Sequence, residues 1–234
     1  MVGASGLSER AEFEAALVAA TRSFGLRLDA AQQTAMWIHF ERMVEANRRF
    51  NLTRITGETD AAVKHYADSL SLLAVPGIER TSSLQVVDVG TGAGFPAVPL
   101  SIVCPTWKMT AIDGTGKKVR FVAEAAEALG LRNLLARHAR GAELALELPG
   151  RFDLVLLRAV GKMAASLAEV RPLVRPGGKV VFYKTTTMPE EELADGCKKA
   201  AALGCRLLDP VDIELPAGNE CLHRRFVVFE RPRR

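Results

Sequence analysis

Residues 86–96 read Val-Val-Asp-Val-Gly-Thr-Gly-Ala-Gly-Phe-Pro, and this segment limits the possible folds more sharply than any other. A β-branched run carries an acid near its end, glycines at 90, 92 and 94 follow, and Pro96 stands where a helix would begin. Glycine permits the tight turn from strand to helix and a close approach of a ligand to the backbone, while proline suits a first helical turn. Downstream the same grammar repeats. Strands are expected at Leu84–Val89, Met109–Ile112, near Leu134–Ala136, at Leu154–Leu157 and at Lys179–Tyr183. Helices are expected at Pro96–Val103, Lys117–Leu129, Met163–Val174 and Glu190–Leu203. Such alternation requires parallel strands joined by crossover helices, a sheet covered on both faces. Two closing strands, Leu207–Leu215 and Phe226–Phe229, have no helix between them, which predicts an antiparallel hairpin at one edge.

Upstream of Leu84 the periodicity is helical. Ser8 is placed to cap a helix that runs toward Phe24 with Phe13, Leu17 and Ala20 on one face. Asp29 and Gln32 form a capping-box pair before a helix whose apolar positions are Met36, Ile38, Phe40, Met43 and Val44. A polar break at Asn47–Gly57 precedes a third helix, Asp60–Leu73, which stops before Pro76-Gly77. The chain thus divides into a helical N-terminal extension, 1–80, and an α/β domain, 81–234.

Composition bounds the rest. With 234 residues, 48% of them hydrophobic, the chain can bury a core and is far too apolar to be disordered. No apolar run approaches the ~20 residues of a membrane span. Early acids at Glu9, Glu12 and Glu14 make a secretory leader unexpected. Cys104, Cys197, Cys205 and Cys221 form no Cys-x-x-Cys pair and the four histidines are scattered, so neither a metal site nor a disulfide framework is expected, and the compartment reads as the reducing cytoplasm. The net charge is +4, with −1 on residues 1–80 and +5 on the remainder. That permits a polyanionic partner without requiring one.

A Gly-x-Gly turn alone marks many nucleotide sites. A dinucleotide loop would carry its third glycine where this chain has Phe95, and Asp88 would repel a pyrophosphate. No Walker lysine follows the loop. S-adenosylmethionine has no phosphate and carries cationic ammonium and sulfonium groups, so acids are tolerated beside it. Asp113, ending the next strand, is placed to accept both ribose hydroxyls. This order of strand, acid, three glycines, helix, strand and acid is the methyltransferase arrangement, with Asp88, Gly90, Thr91, Gly92, Gly94, Phe95 and Asp113 as candidate cofactor contacts. A turn without ligand and a nicotinamide enzyme are the alternatives.

Further segments carry a family resemblance: Asn51-Leu52-Thr53, Lys64-His65 with Asp68-Ser69-Leu70, the glycine loop through Pro99-Leu100, and Asp113 with Gly116-Lys117-Lys118-Val119-Arg120-Phe121. Phe152-Asp153, Arg158-Ala159 and Leu222-His223-Arg224 extend it. From about Asn47 to Glu230 the chain resembles the glucose-inhibited division protein B family of 16S rRNA guanine-N7 methyltransferases. The resemblance implies a seven-stranded, Rossmann-like S-adenosylmethionine-dependent methyltransferase fold with a helical N-terminal extension. It places Gly90 and Phe95 beside the cofactor, Ala142 and Glu143 at the adenine, and Arg158 at the cofactor edge of the active site. Lys184 is expected to face the substrate, with His223 and Arg224 also on the substrate side. The partner implied is 16S ribosomal RNA or the 30S subunit, and the enzyme is expected to be a cytoplasmic monomer. The chain departs from the family at Gly114 and Leu157, each where serine is common, and at Ala97 and Thr185, each where glycine is common. Gly114, Leu157 and Thr185 keep open a same-fold methyltransferase acting on a small molecule or a protein; a non-catalytic cofactor- or RNA-binding scaffold is the second alternative.

Guanine N7 offers an in-plane lone pair and no proton, so its methylation needs in-line positioning and exclusion of water rather than a general base. The chain has neither an Asn/Asp-Pro-Pro-Tyr/Phe tetrad nor a Pro-Cys nucleophile. Arg158 and Lys184 are accordingly expected to position substrate or cofactor. His65 and Asp68, three apart on a helix, are expected to bond to each other or to close the cofactor pocket. Lys117, Lys118 and Arg120 open a helix against its dipole and suit an anionic partner or a solvated surface. Arg224, Arg225, Arg231, Arg233 and Arg234 are candidates for gripping RNA phosphates. Trp37 and Trp107 read as packing residues.

Overall fold

The computed structural model describes residues 4–218 and 220–233, with side chains from residue 7. Helix α1 (Ala4–Ser23) begins before Ser8, whose hydroxyl bonds to Glu12 one turn on, so Ser8 lies inside the helix rather than at its cap. Phe13, Leu17 and Ala20 form its buried face. Asp29 starts α2 (Ala30–Asn47) as expected: its carboxylate accepts the Gln32 N–H at 2.8 Å, and the Gln32 side chain accepts the Asp29 N–H at 3.1 Å. Met36, Phe40 and Met43 are buried, but Ile38 is 38% exposed. Trp37 takes the core position instead, packed edge-on against Phe13.

The third helical run, α3 (58–74), is less regular than its spacing predicts. It starts as an α-helix at Glu58–Ala61, widens into a π-helix over Ala62–Ala67, and tightens to a 3-10 turn at Ser71–Ala74. Widened turns of this kind concentrate where side chains must be re-aimed, and this one carries His65.

Beyond it run β1 (Gln85–Val89), α4 (Ala97–Val103), β2 (Lys108–Asp113), α5 (Gly116–Ala128), β3 (Leu134–His138), α6 (Gly141–Glu147), β4 (Phe152–Arg158), α7 (Met163–Val170), β5 (Val174–Thr185), α8 (Glu190–Ala202), β6 (Arg206–Leu207), β7 (Val211–Ala217) and β8 (Glu220–Glu230). The seven-residue α6 is too short to announce itself by periodicity. Expected helix Met163–Val174 ends early, because Pro172 sits in a 3-10 turn and β5 already begins at Val174.

The sheet runs β3-β2-β1-β4-β5-β8-β6, parallel through β5 and antiparallel at β8. There are eight strands in seven positions, since β6 and β7 both pair with the outer edge of β8. The single strand expected at Leu207–Leu215 is interrupted at Pro210, which has no N–H to donate to a ladder. Alternate residues of each central strand face opposite layers. Val86, Leu154 and Val181 share one core with Phe13, Leu17 and Tyr66, while Val87, Val155 and Val180 pack with Met163 and Leu167. The N-terminal helices therefore share with α4 and α5 one of the sheet's two covering layers. Among the described residues, no helix is long and apolar enough to cross a membrane.

Replacing Asp29 with Ala removes the side-chain acceptor at the start of α2. The expected loss is about 1 kcal/mol, read as a lower urea midpoint with an unchanged slope.

Candidate functional site

The glycine loop is tied down by its own amides. Gly90 and Thr91 N–H both donate to the Ile112 carbonyl at 2.9 Å, and Gly94 and Phe95 N–H both donate to the Thr91 carbonyl at 2.9 Å. Gly92 N–H donates to Asp113 Oδ2 at 3.1 Å, and Thr115 N–H reaches Asp113 Oδ1 at 2.8 Å. With these donors occupied inside the protein, the loop offers no fan of amides to a pyrophosphate. Gly94 has φ +94°, and a Cβ there would lie 2.6 Å from Val98 Cγ2, so both backbone and packing require glycine.

A cleft of about 490 Å³ opens over the carboxyl ends of β1, β2 and β4, where the strand order reverses direction and parallel sheets bind ligands. Gly90 and Asp113 line it, together with Arg140, Gly141, Lys162 and Glu169, four residues that the motifs did not point to. Their nearest sequence signal is Gly141, where a Cβ would come 2.8 Å from Glu169 Oε1. Ala142 and Glu143 follow at the start of α6. Ala142 N–H donates to Glu169 at 3.0 Å, and Glu143 accepts the Arg140 N–H at 2.9 Å. Gly114 and Leu157, two of the departures from the family pattern, also line the cleft.

Asp88, Thr91 and Phe95 lie beneath the loop and are buried. Asp88 Oδ2 accepts the Ala97 N–H at 3.2 Å at the start of α4, while its Oδ1 has no well-aligned partner. Burial pushes this carboxyl up to about 7, against the opposing pull of the Thr91 hydroxyl, the Ala97 N–H and the more distant Arg158. Asp88 is buried beneath the loop and does not line the cleft, whereas Asp113 at the cleft, an amide-poor loop and no loop lysine fit a cationic nucleoside ligand without phosphate. S-adenosylmethionine meets that description.

Beside the cleft lies a polar cluster that joins α3 to the sheet. Asp68 is fully buried, with Arg158 Nε at 2.8 Å and Arg224 bidentate on it at 2.5 and 2.9 Å. The expected His65–Asp68 bond is absent, because both side chains have other partners. His65 Nε2 is 2.9 Å from the Thr53 hydroxyl and Nδ1 is 3.4 Å from Arg158 Nη2, while the ring stacks on Phe95 with centroids 4.6 Å apart. Burial and then the Arg158 charge push the imidazole down to about 3, so it is neutral. Arg158 Nη2 also donates to the Lys64 carbonyl at 2.5 Å.

Lys184, at the end of β5, is held by Glu192 at 2.6 Å. Arg224 is turned inward, its Nη1 donating to the Lys184 carbonyl at 2.9 Å, and His223 is exposed 3.5 Å from Glu214. Several of the C-terminal arginines offered for RNA phosphates have partners within the protein. Arg225 pairs with Asp212, Arg231 donates to the Val174 carbonyl, and Arg233 packs over Gly177, while Arg234 lies outside the described residues.

A carboxyl raised from 3.8 to about 7 penalises the folded state as pH rises through that window, because the unfolded chain gives up the proton first. Asp88→Asn removes this penalty while keeping an acceptor for Ala97. The melting temperature of the variant relative to the parent is expected to climb between pH 4 and pH 7; a pH-independent difference would show that Asp88 is not so perturbed.

Comparison with known proteins agrees with this geometry. The family described as rRNA small subunit methyltransferase G matches residues 32–212. The ribosomal RNA small subunit methyltransferase G of Geobacter sp. (strain M21) is 38% identical over 209 residues, covering 88% of this chain and 92% of that protein. The corresponding protein of Leuconostoc citreum (strain KM20) is 36% identical over 208 residues, covering 88% and 86%. Among solved structures, a variant of the 16S rRNA (adenine(1408)-N(1))-methyltransferase from Catenulisporales acidiphilia superposes with TM-score 0.55 at 20% identity, covering 65% of this chain and 87% of that one. The precorrin-6y C5,15-methyltransferase from Geobacter metallireducens GS-15 gives TM-score 0.50 at 18% identity, covering 70% and 85%, a likeness of fold alone. By the extent of the family match and the identity to its members, the chain belongs to the rRNA small subunit methyltransferase G family.

Proposed function

We propose that this protein transfers a methyl group from S-adenosylmethionine to N7 of a guanine in 16S ribosomal RNA. The family match across residues 32–212 carries the reading. S-adenosylmethionine, when bound, supplies an electrophilic sulfonium methyl. Gly90 and Asp113 would hold the nucleoside end in the cleft, the loop glycines allowing close approach and the carboxylate accepting hydroxyls. Ala142 and Glu143, directly after the cleft residue Gly141, would border the same end, with Arg158 beside the cleft at the end of β4.

N7 attacks through a lone pair that needs no deprotonation, so the chain must position and desolvate rather than take a proton. The side chains at the rim suit that task. Both ring nitrogens of His65 are engaged, and Asp68 is occupied by two arginines. Arg158 and Lys184 carry fixed charge close to the site and would orient the RNA. The reading extends to a monomeric cytoplasmic enzyme that takes naked 16S RNA or the assembled 30S subunit.

Transfer of radiolabelled methyl to under-methylated 30S subunits, naked RNA and free nucleosides tests this directly. Label is expected in 16S RNA at guanine N7; label only in small molecules would overturn the assignment, and cofactor binding with no label would point to a scaffold. Asp113→Ala is expected to weaken S-adenosylmethionine binding by about tenfold or more, as befits loss of hydrogen bonds to a charged acceptor. Lys184→Ala is expected to lower kcat/KM for RNA by about tenfold while cofactor affinity changes little; equal losses in both would remove Lys184 from the substrate side.

A further inference from the structure

The polar cluster beside the cleft contains a buried carboxylate that takes no direct part in the proposed transfer. Asp68 is 0% exposed and directly follows the π-wound part of the N-terminal extension, yet its partners belong to the end of β4 and the interior of β8. Arg158 presents Nε to Asp68 and Nη2 to the Lys64 carbonyl, which fixes the guanidinium plane from two sides. Its Nη1 makes no hydrogen bond to the protein among the described residues, and the side chain keeps 15% exposure. Arg224 carries the same constraint further, since its Nη1 holds the carbonyl of Lys184 while Nε and Nη2 hold Asp68. One buried carboxylate is thereby connected to both residues proposed to orient RNA. One acid between two guanidiniums leaves the cluster with one positive charge in excess, held by geometry at the rim rather than free on a surface.

Resting on the function proposed above, we infer that Asp68 is a positioning residue for methyl transfer: it sets the guanidinium of Arg158 beside the cleft. Reach and burial support this role. A long arginine side chain in water samples many rotamers and loses that freedom on meeting substrate, whereas one already locked by a buried carboxylate presents its remaining donor at no further entropic cost. Asp68 touches no reacting atom and acts only through its partners.

A double-mutant cycle separates this role from mere stabilisation. Methyl transfer to under-methylated 30S subunits would be measured at saturating S-adenosylmethionine for the parent, Asp68→Asn, Arg158→Met and the Asp68→Asn/Arg158→Met pair, with melting curves confirming folded protein. Asp68→Asn is expected to lower kcat about tenfold or more, and to lower it no further once Arg158 is Met. Should Asp68→Asn alone fail to fold, Asp68→Asn/Arg224→Met keeps the cluster at the same net charge while still removing the carboxylate. That variant is expected to show the same loss, again abolished by Arg158→Met. Losses that multiply independently of Arg158, or full kcat in either carboxylate-free variant, would overturn the inference. A parent protein that transfers no label to RNA would instead count against the proposed function.

Discussion

A carboxylate removed from water and held between two guanidinium groups ties the parts of this molecule together. Asp68 on the N-terminal extension is bonded to Arg158 from the centre of the sheet and to Arg224 from its antiparallel side. Burying an ion costs several kcal/mol, and removing one partner of such a pair typically costs about 3–5 kcal/mol because the survivor is left uncompensated. The extension is therefore bound to the end of β4 and the interior of β8 by a contact that tolerates little displacement. Tyr183 adds a second buried link, its hydroxyl donating to the Ser69 carbonyl at 3.0 Å.

The same helices brace the glycine loop from below. Phe95 packs between the stacked ring of His65 and the edge of Tyr66, and Tyr66 in turn bonds to His39 Nδ1 at 2.8 Å. Burial drives both His39 and His65 down to about 3, so this support is built from neutral rings and does not change charge near neutral pH. Loop, extension and cleft wall thus form one packed unit, with a rigid rim suited to chemistry that depends on alignment rather than on proton transfer.

Charge is deployed in a corresponding way. Most of the C-terminal arginines are paired or bonded within the sheet, so a count of basic residues overstates what faces a polyanion. Arg158 and Lys184, at the carboxyl ends of β4 and β5, each have an acidic partner, Asp68 and Glu192.

The sequence by itself determined the alternating strands and helices, the parallel sheet with an antiparallel end, the capping box at Asp29 and the glycine loop with Asp113 behind it. These follow from short-range physics: side-chain periodicity, turn stereochemistry and local hydrogen bonds act over a few residues. Tertiary structure alone decided which way the polar side chains turn. His65 and Asp68 are neighbours on a helix, but a π-wound turn and partners 93 and 156 residues away draw them apart. Arg224 looks like a surface cation in the chain and becomes a buried strut, because desolvating a guanidinium is acceptable only where a carboxylate waits for it. The cleft residues Arg140, Lys162 and Glu169 were likewise invisible, since they meet only when the fold sets the start of α6 against α7.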